Sequence, residues 1–262
     1  APSQYRFDLR GGKLLVPFKL CPEFSLMSGT VQFNHSSGRL NVPSCRLTTD
    51  AGGYLDIKGD WDRMTSSWTA NVVINSIPAS SILADDWKKH VQGEVSGGVD
   101  LRGDQGRLTH VAGLFRLQNG MLSGLPVLDR LALFCDSSRF RQLALHKASA
   151  QFRYGKGVWH VSDVVIESEN LMRVEGWLEI GDDGSLKGRF QVGLRADGMW
   201  NSLPGFSDVF SASRQGGGAG LVWANVNIGG TLDNPSEDLS ARLLKAAGER
   251  LKEIGMEKVA EA

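Results

Sequence analysis

The 262-residue chain carries 29 Lys+Arg against 29 Asp+Glu, so its formal net charge is zero. That balance gives no support to a nucleic-acid partner, which would need a concentrated basic face, and argues against a strongly electrostatic membrane-surface mode. With 41% hydrophobic residues the chain can bury a sizeable core, and 32 Gly against 8 Pro fits many tight turns rather than disorder.

No run approaches the ~20 consecutive apolar residues of a membrane-spanning helix. The chain opens on Ala1-Pro2-Ser3-Gln4 rather than Met and is read as a processed form or a piece of something longer. Cys21, Cys45 and Cys135 show no CxxC spacing. Either Cys21 and Cys45 pair in an oxidising compartment, or all three are buried thiols.

In chain order, Tyr5–Arg10 and Lys13–Leu20 predict a first hairpin, or the remnant of one, turning at Gly11-Gly12. Strands follow over Thr30–Asn34, Leu40–Leu47, Tyr54–Trp61 and Ser67–Ile74, the last with Trp68, Ala70, Val72 and Ile74 on one face. Pro78 opens a helix over Ala79–Val91, with Ile82, Leu83, Trp87 and Val91 at helical spacing. Val95–Arg102 and Arg107–Gln118 form a hairpin about Gly103–Gly106, and Asn119-Gly120 signals a turn. A second helix starts at Leu125-Pro126 and runs to Phe134.

The clearest pattern lies between residues 147 and 195, where apolar and polar residues alternate at period two. Ala148, Ala150, Phe152 and Tyr154 share one face; so do Met172, Val174, Leu178 and Ile180, and again Leu186, Phe190, Val192 and Leu194. This is the signature of half-buried antiparallel strands with one oily and one wet face, joined at Tyr154–Gly157 and Gly181–Gly184. A third helix starts at Leu203-Pro204, and a Gly-rich loop, Gln215–Gly220, lacks the order of any phosphate-binding motif. Leu221–Leu232 is the last strand. Asn234 caps a terminal helix with Pro235 at its first turn and Glu237 as its early acid, carrying Leu239, Leu243, Leu244, Ala247, Leu251 and Ile254 along one stripe.

The order of elements repeats. Val31-Gln32-Phe33 matches Ala150-Gln151-Phe152 at an offset of 119 residues (150 − 31), and Gly38, Val42 and Leu47 match Gly157, Val161 and Ile166 at the same offset. Leu55, Ile57 and Gly59 then match Met172, Val174 and Gly176 at 117 (176 − 59). An internal duplication is expected. It sets the domains at 1–106, with a helix near 79–91; at 107–235, with helices near 126–134 and 204–210; and at 236–262, the terminal helix.

Catalytic chemistry is not indicated. The five histidines lie on separate elements without metal-ligand spacing, no GxSxG elbow occurs, and no cofactor is implied. Seven tryptophans could suggest carbohydrate stacking, yet Trp61, Trp68, Trp159, Trp177 and Trp223 fall in strands, where core or groove packing is the commoner role.

The run Val111-Ala112-Gly113-Leu114-Phe115-Arg116-Leu117-Gln118-Asn119-Gly120-Met121-Leu122 resembles a recurring unit of the AsmA-like family of bacterial envelope proteins, of the TamB and YhdP type. Phe152, Val164–Ser168 and Val174-Glu175-Gly176 follow in that family's order, and Val226-Asn227-Ile228-Gly229-Gly230-Thr231-Leu232-Asp233-Asn234-Pro235 resembles its close. The likeness covers about residues 107–240. It implies a mostly β fold, an elongated antiparallel meander curved into an open, taco-like groove, with the short Leu-Pro helices and a C-terminal amphipathic helix added here. It further implies a non-enzymatic periplasmic protein, anchored to the inner membrane by a segment outside this chain, that holds or conducts phospholipid acyl chains between inner and outer membrane. The partners implied are a phospholipid or other acyl-chain lipid and membrane-assembly proteins. The lining expected is Val31, Phe33, Leu55, Ile57, Phe152, Met172, Val174, Leu178, Ile180, Phe190 and Val192. The alternative is an envelope scaffold or protein-binding module whose apolar faces close into an ordinary β-sandwich core without lipid.

Overall fold

The computed structural model describes residues 3–14, 24–83, 85–135, 137–169, 171–195, 205–211, 220–246 and 248. The chain is mostly β. Its strands are β1 (Gln4–Leu9), β2 (Lys13–Leu14), β3 (Phe24–Asn34), β4 (Arg39–Thr49), β5 (Tyr54–Asp62), β6 (Ser67–Pro78), β7 (Val91–Asp104), β8 (Arg107–Ser123), β9 (Gln142–Leu145), β10 (Lys147–Gly155), β11 (Val158–Ser168), β12 (Met172–Gly181), β13 (Leu186–Arg195), β14 (Leu221–Gly230) and β15 (Pro235–Glu237). Short helices interrupt them: α1 (Ala79–Ile82), α2 (Asp85–Lys88), α3 (Pro126–Phe134), α4 (Phe206–Val209) and α5 (239–246). Hydrogen bonding follows chain order from β1 through β3 to β8 and from β10 to β15, with β2 beside β3 and β9 beside β8. The path has two ends, so this is an antiparallel meander that does not close into a barrel.

Two compact units divide the chain, Ala1–Gly120 with Ser149–Val161, and Met121–Ala148 with Ser162–Ala262. In the first unit the turns follow the sequence chemistry. Gln105 and Gly106, at φ +48° and +73°, form a two-residue turn of the kind that suits the strands' own twist, as do Lys156 and Gly157 at +54° and +78°. Asp62 Oδ1 accepts from the backbone N–H of Met64 at 2.9 Å, holding the β5–β6 turn.

Strand β4 contains a bulge. Its pairing with β5 jumps from Val42–Gly59 to Cys45–Ile57, and Pro43, which has no N–H to donate, stands inside the jump. The extra residue keeps Val42 and Cys45 on one face although they are three positions apart. Strand β11 carries a left-handed residue at Asp163, φ +49°, which lies 119 positions after Ser44 (163 − 44), the residue that ends the β4 bulge. The β4 irregularity is a register shift and the β11 irregularity a left-handed residue.

Four expectations need correction. The hairpin about Gly11-Gly12 does not form: β1 and β2 both pair with β3, at Gly29–Asn34 and at Phe24-Ser25, and not with each other. The helix over Ala79–Val91 is two single turns, because Leu83 is extended at ψ 150° and Val91 already belongs to β7; Trp87 is exposed. Four-residue helices lie below the length that sustains itself, so flanking strands decide their extent. Asn119-Gly120 does not turn the chain. Asn119 alone has positive φ, +49°, while the tight hairpin turn needs two such residues, and β8 runs on to Ser123. Pro235–Glu237 is a short strand beside β14 rather than the first turn of the terminal helix. That helix starts at 239, where Glu237 Oε2 accepts from the Ser240 backbone N–H at 2.8 Å and satisfies one of its free donors. Leu239, Leu243 and Ala246 are buried along it, whereas Leu244 is exposed. Cys21, most of Lys13–Leu20, Leu203-Pro204, most of the Gln215–Gly220 loop, Ala247, Leu251 and Ile254 lie outside the described residues.

Candidate functional site: two apolar walls

Directly opposed residues of an antiparallel pair point to the same side of a sheet, so register converts strand patterns into rows. In the first unit one row runs Tyr5, Phe33, Leu40, Trp61, Trp68 and Gly103. The next rows are Val42, Gly59, Ala70 and Leu101; then Cys45, Ile57, Val72 and Val99; then Leu26, Leu47, Leu55, Ile74 and Gly97. Val31 stands opposite Phe7, and a Cβ at Gly97 would lie 3.2 Å from Phe115 Cα, which carries the wall into β8. Gly113 pairs with Phe152, whose ring occupies the space a side chain at 113 would need and stacks on Phe115 with centroids 4.5 Å apart. Of the expected lining, Val31, Phe33, Leu55, Ile57 and Phe152 therefore share one apolar wall.

The opposite face of the same strands is a polar ladder. Arg46 donates twice to Asp56, at 2.7 and 2.6 Å, and its guanidinium lies 4.2 Å from the Tyr54 ring centroid. Arg39 bonds Asp62 at 3.2 Å, Asn41 bonds Asp60 at 2.7 Å, and Asn71 bonds Asp100 at 2.9 Å. The Arg46 bonds hold the Asp56 carboxyl below the usual carboxylate range. These pairs each join neighbouring strands on this face.

The apolar wall of the first unit changes character along the strands. At the end near α1, Phe24, Leu47 and Ile77 are buried as a small core, with Leu26, Cys45, Leu55, Ile57, Ile74 and Ile82 packed around it. At the hairpin end Tyr5 and Trp61 are 39% and 37% exposed. Between them Leu40, Val42, Val72, Val99 and Leu101 are only half-buried.

In the second unit Met172–Leu194, Val174–Val192, Gly176–Phe190, Leu178–Gly188 and Ile180–Leu186 are opposed pairs, and β14 adds Val222, Ala224, Val226 and Ile228 to the same rows. The remaining expected lining residues, Met172, Val174, Leu178, Ile180, Phe190 and Val192, thus share a second wall. It is sealed at one end: Met172, Val192 and Leu194 are buried, while Val174, Leu178, Ile180 and Phe190 stay half-buried. Helices supply many of this unit's buried side chains, with Leu128, Leu131 and Phe134 of α3 and Phe206 and Val209 of α4; Phe134 and Phe206 lie with rings 6.1 Å apart. Helix α5 is tied to β14, where Asp238 accepts from the backbone and side-chain N–H of Asn227, at 3.0 and 2.7 Å, and Arg242 donates to the Asn225 carbonyl.

Sequence patterns missed Leu40, Trp61, Trp68, Val99, Leu101 and Phe115 as members of the first wall. Their signal was the same alternation, but membership of a row depends on register and on the β4 bulge. They also missed that Trp177 faces away from the wall. Its pocket, about 590 Å³, lies on the polar face of β11–β13. Smaller hollows of about 260 and 420 Å³ lie about Trp61 and Trp68, and about Tyr5 and Phe33. Burial pushes the Cys135 thiol up to about 12 and raises that of Cys45. Among the described residues no helix is long and apolar enough to cross a membrane, and no three His, Cys, Asp or Glu side chains gather as metal ligands would.

The arrangement defines an open antiparallel meander whose units each present one apolar wall and one polar face. Compared with protein-family models, with curated proteins and with solved structures, the chain matches none.

Proposed function

We propose that the apolar walls hold or conduct acyl chains of a phospholipid or a similar lipid, as the AsmA-like resemblance implies, in a bacterial periplasm and without catalysis. The observation that carries this reading is the half-buried state of the first wall. Val31, Phe33, Leu40, Val42, Leu55, Ile57, Val72, Val99, Leu101, Phe115 and Phe152 all retain part of their surface, although register gathers them on one side. An ordinary core would bury them. Contiguous exposed apolar surface on this scale marks a site of interaction.

The energetics suit a lipid. An acyl chain of about 16 carbons costs roughly 12 kcal/mol to bare to water, at ~0.8 kcal/mol per methylene. A continuous apolar wall removes most of that cost with no reactive group. On the polar face of the first unit, Arg39 and Arg46 are bonded to Asp62 and Asp56.

A second reading, a scaffold or protein-binding module with a closed apolar core, is favoured by one observation in the second unit. There Met172, Val192 and Leu194 are 5%, 7% and 0% exposed, which is core packing.

Lipid extraction and native mass spectrometry of the purified chain separate the two. The lipid reading expects a co-purifying phospholipid that V174E and F190E lose while remaining folded. A lipid-free parent protein, or variants that simply unfold, supports the closed core.

A further inference from the structure

The polar face of the second unit holds a pocket that the lipid reading does not use. It opens beside the left-handed residue Asp163, and its volume of about 590 Å³ falls within the ~300–1,000 Å³ of small-molecule sites. Trp177 lines it and is 37% exposed. Register places Arg189 directly opposite Trp177, and Gln191 opposite Glu175. Glu175 is engaged by Arg173 at 2.6 Å, and Gln191 gives an amide N–H to Asn225 at 3.0 Å, which leaves its carbonyl oxygen open. Among the described residues no side-chain hydrogen bond or ion pair engages Asp163 or Arg189, and no guanidinium lies over the Trp177 ring.

We propose that this pocket binds a saccharide, with Trp177 as the stacking platform. The chemistry selects that class. An indole face packs against the apolar C–H side of a pyranose, and its polar edge suits a half-wet site. A free guanidinium and a free carboxylate at the rim donate to and accept from neighbouring hydroxyls. An anion such as phosphate would meet the acids at 163 and 175. A purely apolar ligand would strip water from Arg189 and Asp163 and return no hydrogen bond to either. A neutral polyhydroxylated ring satisfies all three groups.

The site is separate from the apolar walls, so its test is independent of lipid. Tryptophan fluorescence and calorimetry of the full chain are run against N-acetylchitotriose, cellotriose and maltotriose. Saturable binding is expected for at least one. W177A weakens it about tenfold, a loss matching a stacking contact of about 1.4 kcal/mol. W177F, which keeps an aromatic face, retains most of it, R189A weakens it, and V174E in the wall leaves it unchanged. Circular dichroism checks that each variant is folded. Absence of saturable binding for all three sugars overturns the proposal, as does a folded W177A that binds like the parent.

Discussion

Gly193 and Trp223 stand directly opposite each other on β13 and β14, and the indole fills the space that only a glycine leaves. A Cβ at 193 would lie 2.9 Å from two ring carbons, and Trp223, at 1% exposure, has nowhere to retreat. Trp223 lies on the face of β14 that also carries Asn225 and Asn227, where α5 is tied down, while Leu194 is buried on the other face. This end of the sheet is therefore covered on both sides. Gly193→Ala should cost about 1–3 kcal/mol by overpacking. Denaturant unfolding measures it, and a variant as stable as the parent would show that the indole has room to move.

Cys135 makes a pH prediction with a definite sign. Burial holds its thiol at about 12 against an ordinary value of 9.0. Between those values the unfolded chain has released a proton that the folded chain retains. Stability linked to this group is whole below about pH 9 and falls as pH rises, by at most ~1.4 kcal/mol per pH unit. The fall should be shallower in C135A than in the parent. Thiol reagents at neutral pH should modify Cys135 only on unfolding. Parallel stability profiles for the two proteins in alkali would refute the buried assignment.

Much of the fold was legible in the sequence because strand alternation and turn chemistry are local. Leu186–Arg195 appears with the boundaries its pattern gives, and Gly103–Gly106, Tyr154–Gly157 and Gly181–Gly184 turn where their glycines indicate. What failed was non-local. Pro235 and Glu237 have the composition of a helix start, but pairing with β14 claims them first. Asn119-Gly120 has turn composition, but the strand continues through one left-handed residue. The walls were legible only as separate faces. Joining Phe33 to Trp61 and Ile57 to Val99 requires cross-strand register, and the β4 bulge shifts that register invisibly to a period-two count.

Arg46 and Asp56 tie β4 to β5 with two hydrogen bonds, yet their side chains are 47% and 36% exposed, so solvent and salt screen the pair. Its contribution is therefore small. The Asp56 carboxyl is held low by Arg46, so that contribution is present above the unfolded carboxylate value and fades as pH falls through the folded one. D56N should therefore be slightly less stable than the parent at neutral pH and equal to it in strong acid. Melting curves across pH test this, and a gap that widens in acid contradicts it.

The sharpest test of the walls compares positions along β12, all on one face but unequally covered. Met172 is 5% exposed, whereas Leu178, six residues on, is half-buried opposite Gly188. A carboxylate at 172 would have to lose its water with no partner, so M172E should fail to fold or melt far below the parent. A carboxylate at 178 can stay hydrated at the open part of the wall. L178E should keep the parent's circular dichroism and lose only bound lipid, because the charge interrupts the apolar path an acyl chain would follow. Lipid extraction beside thermal melting reads both variants. If L178E unfolds as M172E does, the wall at that point is sealed core and the closed reading holds; if L178E folds and keeps its lipid, the acyl chain runs elsewhere.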